Sequence, residues 1–146
     1  NARKVEQMYR RREGQSIEQL LDRRARLNKA YLFWTCLTGR RLKAAFGEDL
    51  CDRIIWENAS PRIASKASEC FGVDQEHVDS VLAHFEPTVV LLFGKVANSC
   101  VAPAPYVLSG PHPAARHAGV VDELQAMAGE LRDILSKVGE FTGATA

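Results

Sequence analysis

The sequence predicts a layered α/β fold with a short, mainly parallel sheet. In its second half, apolar runs of strand length alternate with helical stripes, an order typical of parallel sheets. The chain has 146 residues, of which 46% are hydrophobic and 25% charged, so it fits one domain with a hydrophobic core. The same composition excludes wholesale disorder and collagen-like repeats.

Helices are predicted for the first third of the chain. Ser16 suits an N-cap position, and apolar residues follow it at helical spacing. Residues 31–37 (YLFWTCL) contain aromatic side chains that favour a strand, but the helical pattern of residues 39–46 continues from them, and we place a helix across most of the run. That second pattern is expected to end at Gly47.

The sequence pattern in the middle of the chain predicts a strand, a loop and a helix. Residues 53–56 form a short apolar run that leads into the polar segment 57–61. Asp74 is a candidate N-cap for an amphipathic helix, which Pro87 ends.

The last part of the chain predicts two strands and two helices. Residues 88–93 are continuously apolar and rich in β-branched side chains, as in a strand buried on both faces of a sheet. Gly94 opens a short helix, and residues 106–109 form the next strand. The final helix ends near Gly139 and carries an apolar stripe of Val120, Leu124, Met127, Leu131 and Leu135.

The net charge of +1 is the sum of a basic N-terminal segment and an acidic remainder. Residues 1–43 contain twelve Lys/Arg and four Asp/Glu, whereas residues 44–146 contain seven and fourteen. This asymmetry favours an anionic partner. We therefore divide the chain into a basic helical arm, residues 1–30, and an α/β domain, residues 31–146.

Several classes of protein and site are not expected. No apolar run approaches the roughly 18–20 residues of a membrane span, and no signal-peptide pattern opens the chain, so we expect an intracellular protein. The four cysteines, at positions 36, 51, 70 and 100, lack CxxC spacing and are expected to be buried or half-buried thiols in a reducing compartment. We expect no metal and no cofactor.

Three loops are the candidate functional site. In a parallel sheet, functional groups collect beyond the carboxyl ends of the strands. The loops there are residues 57–60, with the amide of Asn58; residues 94–97, with a glycine turn; and residues 110–116, with His112 between two prolines.

These segments resemble the uracil-DNA glycosylase superfamily. Residues 54–62 (IIWENASPR) resemble its strand and Asn-Ala turn, 89–98 (VVLLFGKVAN) its strand ending in an aromatic-Gly turn, and 107–116 (VLSGPHPAAR) its last strand and His-Pro-Ser loop. Residues 37–47 are similar to its Gly-containing helix, so the resemblance covers roughly residues 37–135. It implies a three-layer sandwich, here preceded by the basic helical segment.

The resemblance implies base excision from DNA, that is, hydrolysis of the N-glycosidic bond of uracil or a related base after the base leaves the duplex. Asn58 would recognise the edge of the base, and His112, the catalytic residue, would stabilise the negative charge that develops on it. The other implied substrate-binding residues are Phe93, Gly94, Pro113 and Ala114. DNA is the expected partner, with phosphate contacts from Arg10, Arg11, Arg12 and Arg116.

Simpler interpretations stand beside these roles. Asn58 also fits an ordinary turn residue, and a basic run such as residues 10–12 is more often a solvated face. His77 and His84 lie on an amphipathic helix, where solvated side chains are expected.

Two departures from the family pattern leave the activity open. Residues 1–50 contain no Gly-x-Asp-Pro or Gly-x-Asn-Pro segment, which would carry the water-activating residue, and Ala114 replaces the loop serine. Three explanations remain: the motif lies upstream of Asn1, Glu57 supplies the base, or the fold persists without the chemistry. Because the family's first strand is central in the sheet, residues 31–37 are the candidate for a substitute strand.

Two other functions compete with a glycosylase. One is a non-catalytic module that binds nucleic acid or an acidic protein through the arm. The other is an enzyme of small nucleotides, which is weaker because the chain has no glycine-rich phosphate loop.

Overall fold

The structure is a computed structural model that describes residues 7–62 and 71–139, apart from the side chains of residues 32–35. In chain order its elements are α1 (Ile17–Thr35), α2 (Leu37–Arg53), α3 (Gln75–Phe85), β1 (Val89–Phe93), α4 (Gly94–Asn98), β2 (Tyr106–Gly110) and α5 (Val120–Lys137). The chain is thus a mixed α/β protein, as predicted. No helix in the described part is both long and apolar enough to cross a membrane.

The start of α1 follows from a capping box. The backbone N–H of Gln19 donates to the Ser16 hydroxyl over 3.1 Å, and the N–H of Ser16 donates to the Gln19 side chain over 3.0 Å. α1 then continues to Thr35 and α2 begins at Leu37, so the helix predicted across most of residues 31–37 is confirmed and no substitute strand forms there. The two helices are separated at Cys36, whose backbone is extended.

The break at Gly47 is confirmed, but the predicted end of the helix is wrong. Gly47 has φ 80° and ψ 162°, which interrupts the helical geometry, and α2 resumes beyond it as far as Arg53. Gly47 can adopt this positive φ because glycine has no Cβ.

The strand predicted over residues 53–56 is also wrong. Arg53 is the last residue of α2, and the N–H of Ile54 donates back to Leu50 O over 3.1 Å. Residues 54–58 follow without strand pairing, and the carbonyl of Trp56 accepts a hydrogen bond from the Asn28 side chain instead, over 2.9 Å. An apolar run forms a strand only where a neighbouring strand can pair with it.

α3 begins and ends as predicted. The carboxylate of Asp74 accepts the backbone N–H of His77 over 3.1 Å, which caps the first turn. At the other end Glu86 adopts a left-handed conformation with φ 46°, and Pro87 follows.

β1 and β2 pair in parallel, from Val89 opposite Tyr106 to Phe93 opposite Gly110. Both predicted strands are therefore confirmed. The expectation that residues 88–93 are buried on both faces is wrong, since every residue of β1 is only half-buried. Val89, Leu91 and Phe93 alternate along β1 and pack against the core.

The core lies between α2 and α5. Its members are Leu42, Ala45, Phe46, Leu50 and Cys51 from α2, and Val120, Leu124, Met127, Ala128, Leu131 and Leu135 from α5. The predicted stripe of the final helix is therefore buried in full. Arg132 adds a polar link, because its Nη2 donates to Phe46 O over 2.6 Å.

Truncation of Leu124 should test this core. Leu124 is fully buried, so Leu124→Ala should lower the free energy of unfolding by about 2–5 kcal/mol in urea denaturation. Val121→Ala on the same helix is the control, because Val121 is 44% exposed and should change stability by less than about 0.5 kcal/mol. Equal losses would contradict the packing described.

Candidate functional site

The carboxyl ends of β1 and β2 bring two of the predicted loops into contact. Phe93 lies opposite Gly110, so Gly94 and the loop containing His112 leave the sheet side by side. A Cβ on Gly94 would lie 3.1 Å from the Cβ of His112, and Gly94 has φ +85°. Glycine is therefore required at position 94 both by its conformation and by the closeness of the histidine.

His112 is held as a neutral hydrogen-bond donor. The backbone N–H of Ala114 donates to His112 Nδ1 over 3.0 Å, so Nδ1 is unprotonated and the proton of the neutral ring is on Nε2. Although the residue is exposed, desolvation by surrounding atoms lowers the pKa of its imidazole. Within the described residues no group occupies Nε2, which leaves that N–H able to donate to a ligand.

Arg41 binds the loop that carries His112 through two hydrogen bonds. Its Nη1 donates to Pro113 O over 2.8 Å and to Ala115 O over 2.7 Å. Pro113 is fully buried, and the N–H of Ala115 closes a turn onto His112 O over 2.9 Å. The loop is thus fixed from α2, an element far away in sequence.

Asn98 closes the ends of the two strands. Its Nδ2 lies 2.8 Å from Gly94 O, 3.2 Å from Leu92 O and 3.4 Å from Gly110 O. One side-chain amide therefore satisfies carbonyls at the carboxyl ends of both β1 and β2, where the ladder stops. An open cavity of about 600 Å³ lies beside Asn98 and Gly110.

A row of aromatic rings runs from the core to His112. Phe46 packs edge-on against Phe93 with ring centroids 6.2 Å apart, and Trp56 stacks on Phe93 at 5.6 Å and 18°. Trp56 also meets His112 edge to face, at 6.2 Å and 90°. The segment that carries Asn58 is therefore tied to the other two loops through Trp56.

A buried ionic cluster anchors the same segment. Glu57 Oε1 lies 2.9 Å from Arg24 Nη2 and 3.5 Å from His77 Nε2, and the three side chains are only 6–9% exposed. The expectation that His77 is solvated is therefore wrong. His84 is not simply solvated either, since its Nε2 lies 2.8 Å from Asp22 Oδ1 with 20% of the side chain exposed.

The environment of Glu57 opposes a role as catalytic base. Burial alone would raise the pKa of its carboxyl, but the close contact with His77 and the hydrogen bonds and charge of Arg24 hold the pKa below its ordinary value. Both oxygens already accept hydrogen bonds from Arg24. Of the explanations for the missing motif, the one that uses Glu57 is the least compatible with this geometry.

Asn58 and Arg116 are the predicted site residues that remain in these loops. Asn58 is exposed and follows Glu57, whose Oε1 accepts the N–H of Asn58 over 3.1 Å. Arg116 is exposed at the end of the histidine loop. Neither side chain makes a hydrogen bond within the described part of the chain.

Arg10, Arg11 and Arg12 precede α1. Arg11 Nε donates to Gln15 O over 2.7 Å, and the N–H of Arg12 donates to the Gln15 side chain over 3.1 Å. The carbonyl of Arg10 accepts a hydrogen bond from Arg23, whose side chain is buried. An open cavity of about 470 Å³, lined in part by Arg12 and Arg26, lies at this end of the helix.

Metal ligands and reactive thiols are not prominent features of the site. Among the described residues, no group of three or more His, Cys, Asp or Glu side chains could hold a metal ion. Cys51 is buried, which raises the pKa of its thiol to about 11, while the thiols of Cys36 and Cys100 are half-buried. Cys70 lies outside the described residues.

Trp56, Asn98 and Arg41 were not predicted as site residues. Alternation along an extended segment places Trp56 on the same side as Asn58, and this signal could have identified it. Nothing local in the sequence indicates that Arg41 contacts a loop more than 70 residues away.

Comparison of the chain with protein-family models, with curated proteins and with solved structures finds no match.

Removal of the charge on Glu57 should destabilise the protein. Glu57→Gln leaves the buried Arg24 unpaired and should lower the free energy of unfolding at neutral pH by about 3–5 kcal/mol. Asp52→Asn is the control, because Asp52 is exposed and lies 3.8 Å from Lys29; it should cost less than about 1 kcal/mol.

The same pair of variants gives a pH test. Because the pKa of Glu57 is lowered in the folded state, its stabilising effect is complete above the ordinary glutamate pKa and is lost as pH falls through the folded value. The difference between wild type and Glu57→Gln in urea denaturation should therefore shrink as the pH falls below the ordinary glutamate value of about 4.3. A constant difference would contradict the ionic role of Glu57.

Substitution of two glycines should separate backbone strain from contact with His112. Gly94 and Gly119 both have positive φ, but a Cβ on Gly119 would meet nothing within 4 Å. Gly94→Ala and Gly119→Ala should each lose roughly 1–2 kcal/mol through strain, while only Gly94→Ala should shift the ring resonances of His112 in NMR spectra. A shift in both variants, or in neither, would contradict the close approach described.

Proposed function

We propose that this chain is an intracellular uracil-DNA glycosylase-like protein that binds an extruded base at the carboxyl ends of β1 and β2 and hydrolyses its N-glycosidic bond. In this proposal β1 and β2 belong to a three-layer α/β sandwich of that superfamily. The observation that carries it is the environment of His112: a neutral imidazole with its proton on Nε2, set against Gly94 by the backbone of the loop.

His112 supplies the chemistry in this proposal. When an N-glycosidic bond breaks, the electron pair leaves with the base, and the sugar becomes oxocarbenium-like. Water then bonds to the anomeric carbon and loses a proton to solvent, which completes the hydrolysis. A fixed N–H donor stabilises the anionic base most where its charge develops. The lowered pKa of His112 keeps the imidazole neutral near pH 7, so the hydrogen bond comes from a neutral N–H whose position is already fixed.

The other residues position the base and the DNA. The exposed amide of Asn58 can pair with the polar edge of a pyrimidine, since it offers both a donor and an acceptor. Phe93 and Gly94 form the wall beside His112, and Pro113 and Ala114 belong to the turn that fixes it. Arg116 and the arm residues Arg10, Arg11 and Arg12 are the proposed phosphate contacts.

A second candidate is binding without cleavage. The engagement of Glu57 by Arg24 and His77 favours it, because that carboxylate is not free to activate water. In this case the protein would be a non-catalytic nucleic-acid-binding module, with affinity supplied by the arm.

Incubation with uracil-containing oligonucleotides tests the proposal. Single- and double-stranded substrates should both be tried at high protein concentration, with abasic sites detected by strand cleavage after alkali treatment. Formation of abasic product supports the glycosylase. Complete absence of product, with salt-sensitive binding that survives His112→Ala and is weakened by neutralising Arg10, Arg11 and Arg12, supports the second candidate.

His112→Ala should lower the cleavage rate about 100-fold to 1,000-fold, the usual effect of removing one donor to a developing anion. His117→Ala is the matched control, because His117 lies in the same region but is exposed and paired with Glu123 over 3.0 Å. A comparable loss in the control, or no loss in His112→Ala, would contradict the role of His112.

The cleavage rate should also depend on pH. Because the pKa of His112 is lowered, the rate should be level above the ordinary histidine value of about 6.5 and fall as pH drops through the lower folded value. The same shift makes the folded state less stable below about pH 6.5, since the unfolded chain then binds the proton more readily. A rate that rises on acidification would contradict the neutral donor.

A further inference from the structure

We infer that Trp56 is a positioning residue that sets the orientation of the His112 imidazole and couples it to the segment carrying Asn58. His112 is the residue on which the proposed function depends, so the catalytic meaning of this inference rests on that function. The physical inference concerns the two rings and can be tested without a substrate.

Three contacts fix Trp56, one through its ring, one through its backbone and one through its neighbour in the chain. The face of its indole stacks on Phe93, which packs against the buried Phe46. Its backbone carbonyl accepts the hydrogen bond from Asn28 over 2.9 Å. Its chain neighbour Glu57 is held in the ionic cluster with Arg24. A ring restrained in this way can act as a rigid reference for another ring.

The contact with His112 has a defined geometry. The two rings are perpendicular, with centroids 6.2 Å apart, an arrangement in which the positive edge of one ring meets the negative face of the other. The turn from Ala114 fixes Nδ1, and Trp56 restrains rotation about the remaining side-chain torsion. The direction of the Nε2–H therefore depends on both contacts, and the indole also removes water from the imidazole.

The charged groups around His112 do not offer another explanation for its environment. Arg41 donates hydrogen bonds to the carbonyls of Pro113 and Ala115 in the histidine loop, and Arg116 lies at the end of that loop. Both guanidinium groups stay charged over the pH range in which histidine titrates, but the lowered pKa of His112 is caused by desolvation and not by a neighbouring charge. Gly94 and Trp56, which lie against His112, have no titratable side chain, and within the described residues no ion pair involves His112.

Ring NMR of His112 is the first test. The resonances are assigned by comparison with His112→Gln, and the fold of each variant is checked by circular dichroism. In Trp56→Leu the pKa of His112 should rise toward its ordinary value, and the nitrogen shifts should show a weaker preference for the Nε2-protonated form. Trp56→Phe should restore most of the wild-type behaviour, because a phenyl ring can keep the stack on Phe93 and the edge contact.

A second histidine–aromatic pair provides the matched control. His84 and Phe85 lie edge to face with centroids 4.6 Å apart. Phe85→Leu removes a ring from that pair and should leave the His112 titration unchanged. If Trp56→Leu folds but does not change His112, or if Phe85→Leu changes it as much, the inference is wrong.

Fluorescence keeps the test valid if Trp56→Leu fails to fold. The chain has two tryptophans, Trp34 and Trp56, so in Trp34→Phe the indole fluorescence, excited selectively over tyrosine, comes from Trp56 alone. A protonated imidazole in contact with an indole quenches its emission, so the signal should fall on acidification with the midpoint of the His112 titration and lose this transition when His112→Gln is added. A signal unchanged across the titration would overturn the inference.

These results separate the inference from the proposed function. A protein that forms no abasic product but shows the coupled titration retains the positioning role of Trp56 and loses the glycosylase. A protein that cleaves uracil-containing DNA without the coupled titration retains the glycosylase and loses the role of Trp56.

Discussion

The parallel pairing of β1 with β2 places Phe93 opposite Gly110, and the geometry of the candidate site depends on this register. A shift by one residue would reverse which side chains of β1 face the core and would separate Gly94 from His112. Asn98 holds the carbonyls at both strand ends, and Met127 of α5 lies close against Gly110, where a Cβ would come within 2.8 Å of its sulfur. The register is thus supported from the site and from the core.

The ionic cluster imposes a second constraint on the same region. Arg24 belongs to α1, Glu57 to the segment after α2, and His77 to α3, so one buried carboxylate joins three parts of the chain. A buried charge without its partner is costly, which makes any displacement of this segment unfavourable. The position of Trp56 beside His112 follows from that anchor, and α1 of the basic third is in this way connected to the site.

The sequence predicted what depends on neighbours a few residues apart. The caps at Ser16 and Asp74, the stripe of α5 and both strands follow from local patterns, and the gathering of residues 94–97 and 110–116 at one end of the sheet follows from the general rule for parallel strands. The strand at residues 53–56 was wrong because a strand needs a partner that local pattern does not supply. Arg41 with Pro113 and Arg24 with Glu57 could not be predicted, since these pairs meet only after the chain folds. The roles of Asn58 and of the arm arginines stay predictions.

The hydrogen bonds from Arg41 to the histidine loop have a consequence for the order of folding. β1 and β2 pair across 17 residues, from Val89 to Tyr106, whereas Arg41 reaches Pro113 across 72. By loop-closure entropy the longer contact costs about 1 kcal/mol more to form, and contacts distant in sequence form late. The strands can therefore assemble before α2 docks, and the loop gains its final shape only with that docking. Loss of the α2–α5 core would loosen the histidine loop together with the strand pair, because Val89, Leu91 and Phe93 pack against that core.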